Sequence, residues 1–199
     1  MKRLKKKKWS ASDKFILILM ILAAVYFSGV EVLAIYSDTI HAVCQDYVFE
    51  KASGLTKSYD NETNKTKVIA GWVAENIKWG ELPHCKSAFW VSAKNGSVPC
   101  RTLDAGCGAC GEKSELISAM LNSIGIEAVR IDASPCWGHA WNEARINNEW
   151  TLFDATGDTV QNFGTTRQKF AENHTLCNYT AYWPNGTSFD VTEKYKPSL

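Results

Sequence analysis

Among the seven cysteines of this 199-residue chain, Cys110 stands where a thiol becomes reactive. It falls in residues 106–126, GCGACGEKSELISAMLNSIGI, where Gly106, Gly108 and Gly111 free the backbone to turn tightly and a helical pattern starts at once. Leu116, Ile117, Met120, Leu121 and Ile124 share one helix face, and Gly125 stops the helix. At a helix N-terminus, unpaired N–H groups and the positive dipole end stabilise a thiolate, so the cysteine pKa falls and its nucleophilicity at neutral pH rises. The same stretch also fits a buried or disulfide-bonded cysteine in a glycine-rich turn.

A base and its partner lie downstream. GHAWNEARI (138–146) and EWTLFDATG (149–157) alternate in the manner of strands and are separated by Asn147-Asn148, which reads as a two-residue β-hairpin. In that register Ile146 pairs with Glu149 and Trp141 faces Asp154. His139 shares the face of Trp141 and is the diagonal neighbour of Asp154, so imidazole and carboxylate can hydrogen-bond across about 7–8 Å of backbone separation. A loop one residue longer or shorter puts them on opposite faces. Taken singly, His139 reads as a surface or packed histidine and Asp154 as a turn former before Ala-Thr-Gly.

In order, Gly-x-Cys-Gly-Glu opening a helix that ends in Gly-Ile, His-Ala-Trp-x-Glu, and Trp-x-x-x-Asp-Ala-Thr resemble the transglutaminase-like superfamily of papain-type cysteine enzymes. VIAGWVAENIKW (68–79) is similar to the helix these domains carry before the nucleophile, so the resemblance spans residues 68–158. One departure is the extra Cys107, which makes the loop Cys107-Gly-Ala-Cys110. The resemblance implies an α+β fold with a papain-like/transglutaminase-like core, in which a nucleophile helix packs on an antiparallel sheet. It also implies Cys110 as nucleophile, His139 as base and Asp154 as the residue that orients the base. Acyl transfer further needs donors for the oxyanion. The Cys110 N–H is one; the resemblance implies an upstream indole or amide as the second, with Trp72, Trp79 and Trp90 as candidates. Trp141 and Trp150 are read as walls of the substrate pocket. Glu112, in the first helical turn, is a dipole partner rather than a catalytic group.

The expected reaction is thioester-mediated acyl transfer on amides of a peptide or protein substrate, with no metal or cofactor. By resemblance to small microbial members a protease or amidase comes ahead of a protein-glutamine transglutaminase. A thiol-disulfide oxidoreductase using Cys107 and Cys110, and a non-catalytic domain binding peptides or glycans, stay open. Zinc is the rival reading for Cys85, Cys100, Cys107 and Cys110, whose spacings of 15, 7 and 3 lack a second close pair.

The chain around this unit points outside the cell. Lys2, Arg3 and Lys5–Lys8 precede an apolar run over residues 15–36, long enough to cross a bilayer core of about 30 Å. The basic cluster belongs on the cytoplasmic side, and the run exceeds the usual h-region of a cleaved signal peptide, so a single-pass anchor with its C-terminal domain extracellular or lumenal is expected. Residues 1–14 then form a basic tail, 15–36 the transmembrane helix, 37–66 a juxtamembrane segment and 67–199 the catalytic domain. The tail holds seven of the 22 basic and one of the 21 acidic residues, leaving 15 against 20 elsewhere, which disfavours a nucleic-acid partner. Six of the twelve asparagines, Asn61, Asn64, Asn95, Asn173, Asn178 and Asn185, begin glycosylation sequons, and none lies between Cys100 and Asn162. In an oxidising exterior Cys44, Cys85, Cys100, Cys107, Cys136 and Cys177 can form three disulfides, in any of fifteen pairings, with Cys110 left over.

Further elements follow from periodicity. Helices are expected over 39–55, with Ile40, Val43, Cys44, Tyr47 and Val48 on one face, and over 67–79, with a polar loop between them. Residues 81–101 read as turns with a short strand over 88–92, residues 127–132 as a strand, 183–186 as a turn and 187–191 as a last strand.

Overall fold

The computed structural model describes residue 26 and residues 42–80, 98–134, 136–172 and 177–196. The chain divides into two compact units, Met1–Ile40 and His41–Leu199. Of the first, only Tyr26 is described, helical and exposed, so the expected membrane anchor lies outside the described residues. Among the described residues, no helix is long and apolar enough to cross a membrane. The strand expected over 88–92, together with Cys85, Trp90, Asn95 and Asn173, also lies outside them.

Helix α1 covers residues 42–56. Cys44, Val48, Ala52 and Thr56, four apart, form its buried line, whereas Val43 and Tyr47 of the expected apolar face are exposed. Helix α2 (Glu62–Asn76) begins five residues earlier than periodicity suggests, because the Asn61 side chain caps it by accepting from the Asn64 N–H at 2.7 Å. Helix α3 (Val98–Ala105) replaces the turn expected there. Pro99 is compatible with a first helical turn, and the Cys44–Cys100 disulfide ties α3 to α1. Helix α4 (Cys110–Ser123) starts at the expected residue and ends before Gly125, whose φ of +84° is a left-handed value suited to glycine.

The sheet is antiparallel and six-stranded, in the order β4-β3-β2-β1-β5-β6. Its strands are β1 (Ala128–Ser134), β2 (His139–Ile146), β3 (Glu149–Asp154), β4 (Gln161–Thr165), β5 (Asn178–Tyr182) and β6 (Ser188–Asp190). β2 and β3 form the expected hairpin in the expected register, from Ile146 opposite Glu149 to Asn142 opposite Phe153. Asn147 and Asn148 both adopt positive φ, 51° and 69°, the conformation that lets a two-residue turn follow the twist of its strands.

Each sheet face has its own core. Under the helices, Ile69, Val73, Leu116, Ile117, Met120 and Leu121 pack against Ala128, Ala144, Ile146 and Phe153. On the opposite face Val129, Ile131, Trp141, Leu152 and Tyr179 are closed over by Tyr195, which follows a 3₁₀ turn at Thr192–Lys194. Asn142 fastens α4 to the sheet, its buried amide donating to the Ser114 carbonyl at 2.8 Å and to Ser118 Oγ at 2.9 Å. Because Asn142 is three residues beyond His139 on the same strand, this fastening sets the nucleophile helix against the histidine strand.

Candidate active site

Cys110 is the first residue of α4 and, among the described residues, the free cysteine. The N-cap, Ala109, offers no side-chain acceptor to the first N–H groups of the helix, and the Gly111 N–H is directed at the Cys110 sulfur. Glu112 reaches back instead, its carboxylate accepting from the Ala109 N–H at 3.1 Å, in keeping with a local helix-end role. The loop before Cys110 is pinned to the end of α2: the Lys78 N–H donates to Gly106 O at 2.8 Å, and the Gly108 N–H donates to Lys78 O at 3.0 Å. A Cβ on Gly108 would stand 2.9 Å from the Glu112 Cβ and 3.0 Å from the Thr102 methyl, so only glycine fits. Cys107 is disulfide-bonded. With Cys110 free, these two cysteines are not bonded to each other, and the oxidation of Cys100 and Cys107 removes two of the four ligands a zinc site needs.

His139 opens β2 behind a tight turn in which the Gly138 N–H donates to Ala133 O at 2.9 Å. The Cys136–Cys177 disulfide holds that turn to the start of β5. His139 Nε2 and Asp154 Oδ2 lie 2.8 Å apart, as the hairpin register requires. The other carboxylate oxygen accepts from the Thr156 N–H at 2.9 Å and from its hydroxyl at 2.6 Å. Asp154 is therefore held from two sides, as turn former and as histidine partner together. Lys113, 1 % exposed, crosses from α4 to donate to Gly157 O at 3.0 Å, tying the loop after Asp154 to the helix that carries Cys110.

Charge is redistributed along this line. Hydrogen bonding with His139 is the largest influence on the Cys110 thiol and lowers its pKa against the opposing effect of burial; the Ala140 and Gly111 amides add to the lowering. Burial disfavours the His139 imidazolium, but hydrogen bonds with Asp154 and Cys110 outweigh it and push the pKa up to about 9. Burial likewise disfavours the Asp154 carboxylate, and the bonds from His139 and Thr156 outweigh it and lower the pKa. Each of the three shifts favours the charged form, thiolate, imidazolium and carboxylate in line.

Cys110, Gly111, Asp132, Ala133, Gly138, His139 and Ala140 line a cleft of about 200 Å³. The tryptophans read as pocket walls stand elsewhere. Trp141 has no exposed surface; on the sheet face it shares with His139 the C-terminal segment closes over it, and its indole N–H donates to Tyr195 Oη at 3.1 Å. It backs His139 from behind, with ring centroids 5.9 Å apart. Trp150 packs edge-on against Trp183 towards the hairpin turn. Trp72 is half-buried on α2 beneath the Lys51 ammonium. Trp79 is 66 % exposed and lies between Lys78 and Gly80, both of which bond the Cys110 loop. Three residues escaped the sequence reading. Thr156 grips Asp154; Trp137 packs 5.1 Å from His139 between ring centroids; Asp132 lines the cleft. A threonine two residues after an aspartate is a legible turn signal; the other two depend on how distant strands meet.

Helices packed on an antiparallel sheet make this an α+β fold, with a helix-tip cysteine beside a half-buried histidine–carboxylate pair. Residues 50–155, just over half of the chain, match the model of the transglutaminase-like superfamily, and the chain belongs to that superfamily. No curated protein matches it. Similar solved structures include a candidate cysteine protease from Cytophaga hutchinsonii, at 17% identity and a TM-score of 0.45 over 74% of this chain and 48% of the other. A candidate protease from Parabacteroides distasonis is 16% identical with a TM-score of 0.49, over 76% of this chain and 28% of the other. A protein named as a TGase is 17% identical with a TM-score of 0.43, over 60% and 32%. The chain thus spans about half or less of the length of these structures.

Proposed function

We propose that the chain is a membrane-anchored extracellular cysteine enzyme that hydrolyses peptide amides through a thioester. One observation carries the reading: His139, bonded to Asp154 at 2.8 Å, shares a cleft with the free Cys110 at the tip of α4. The Cys110 thiolate attacks the amide carbonyl, and the oxyanion is met by the Cys110 N–H and by the Trp79 indole. The His139 imidazolium, held by Asp154 through Nε2, gives its proton from Nδ1 to the leaving amine. Water, deprotonated by the same nitrogen, attacks the thioester, releases the acid and restores the thiol. Residues 1–14 face the cytoplasm, 15–36 span the membrane and the remainder lies outside, where the sequon asparagines Asn61, Asn64, Asn178 and Asn185, all exposed, carry glycans.

The test is incubation of full-length protein in detergent with a glutamine-containing peptide library and excess primary amine, read by mass. Cleaved or deamidated peptide, lost in Cys110→Ala, is the expected result. Amine incorporation would mean a transferase instead, and identical behaviour of wild type and Cys110→Ala would leave only a binding role.

A further inference from the structure

Of the seven residues lining the Cys110 cleft, Cys110 and His139 are the reacting pair, and Gly111, Ala133, Gly138 and Ala140 present at most a methyl group. The seventh, Asp132, is the one lining residue outside that pair able to select a substrate by charge. It belongs to a three-residue cluster: Arg130 Nη2 lies 3.0 Å from Asp132 Oδ2, while Arg130 Nη1 lies 2.7 Å from Glu115 Oε2. One guanidinium thus faces two carboxylates. Asp132 Oδ1 is buried and has no hydrogen-bond partner, so a ligand in the cleft meets the 27% of the side chain that remains exposed rather than this oxygen. Glu115 does not line this cleft; it faces a separate groove beside α1.

A carboxylate that shares its one guanidinium with Glu115, beside the Cys110–His139 pair and among walls of glycine and alanine, favours a cation on a slender aliphatic chain. We infer that Asp132 is a specificity-determining residue that binds an aliphatic primary ammonium group of the substrate next to the carbonyl attacked by Cys110. The inference deepens the proposed function and rests on Cys110 being the residue acylated.

Methanethiosulfonates test it without knowledge of the substrate, because one leaving group can carry different charges. The Cys110 thiolate attacks the sulfenyl sulfur, forms a mixed disulfide and expels methanesulfinate. Rates at the Cys110 peptide are followed by mass for the aminoethyl reagent and the neutral methyl reagent, and their ratio is divided by that for free glutathione. The wild-type ratio should exceed unity by about fivefold, the scale of one partly exposed charge pair, and should fall with added salt. Asp132→Asn should bring the ratio close to unity, while Asp132→Glu should retain most of it. Glu115→Gln removes a unit charge that lies outside the cleft and leaves Arg130 to Asp132 alone, so it should lower the ratio by clearly less than Asp132→Asn does. A wild-type ratio of unity, or an equal fall in Glu115→Gln and Asp132→Asn, would overturn the inference; the first of these is read even if Asp132→Asn does not fold. Failure of the proposed function shows separately, as a neutral-reagent rate at Cys110 no faster than at an unstructured cysteine peptide.

Discussion

At Cys110 the ordinary thiol is altered by three neighbours: a histidine that supplies a positive hydrogen-bonding partner, and two backbone amides, from Gly111 and Ala140, that favour the thiolate. Replacing Cys110 by alanine should abolish turnover. His139→Ala should cost about as much, roughly 10³-fold or more, because nucleophile and base act as a unit, while Asp154→Asn should leave a larger residual rate. The pH profile follows from the direction of each shift. Lowering of the Cys110 pKa places the thiolate limb below the usual cysteine range, so alkylation by iodoacetamide should rise with pH earlier than for a free thiol. Raising of the His139 pKa to about 9 keeps the proton donor charged through neutrality, so amide turnover should fall as pH climbs through that value. The two limbs belong to the coupled pair, and His139→Ala should move the alkylation limb back up. Alkylation that titrates in wild type as in an unfolded cysteine peptide would contradict this account.

The hairpin does for the site what no single residue can. Two positive-φ asparagines make a two-residue turn, the turn sets the register, and the register puts His139 and Asp154 on one face. Inserting one glycine after Asn148 should therefore abolish activity with only modest loss of stability, since one strand slips by a residue and its whole side-chain set changes face. Unfolding midpoints and peptide turnover, measured on the same variant, separate this outcome from general unfolding. Helix α4 is the second positioning element, held by its apolar stripe, by the Asn142 amide and by Lys113 at its first turn. Burial lowers the Lys113 pKa, while Asp158 and Asp154 oppose the shift.

On the scale of the whole chain, disulfides fasten what the site depends on: besides the one that holds Cys107, Cys44–Cys100 joins α1 to α3 and Cys136–Cys177 joins the turn before His139 to β5. Closing loops of 56 and 41 residues, they should each contribute about 2–4 kcal/mol. Reduction of protein already alkylated at Cys110 should lower its urea midpoint accordingly, and an unchanged midpoint would show that neither bond carries stability. The tail of seven lysines and arginines ahead of an apolar run predicts the orientation: protease added outside intact cells should digest the domain and spare the N-terminus. A domain left untouched would contradict the extracellular reading.

Sequence alone determined the parts of this protein that depend on neighbours a few residues apart: the helix that begins at Cys110 and halts at Gly125, the turn at Asn147-Asn148, and hence the meeting of His139 with Asp154. Periods of 3.6 and 2, with turn chemistry between, carry that information locally. Tertiary structure decided what depends on which segments close which face. The second core, sealed by Tyr195, took Trp141 out of the pocket and made Glu143 the buried partner of Arg167 and Tyr195. The Cys44–Cys100 bond brought α1 and α3, 56 residues apart, into one core. Asp132 entered the cleft because β1 lies between β2 and β5 and α4 begins beside it, a juxtaposition set by strand order and helix packing rather than by any spacing along the chain.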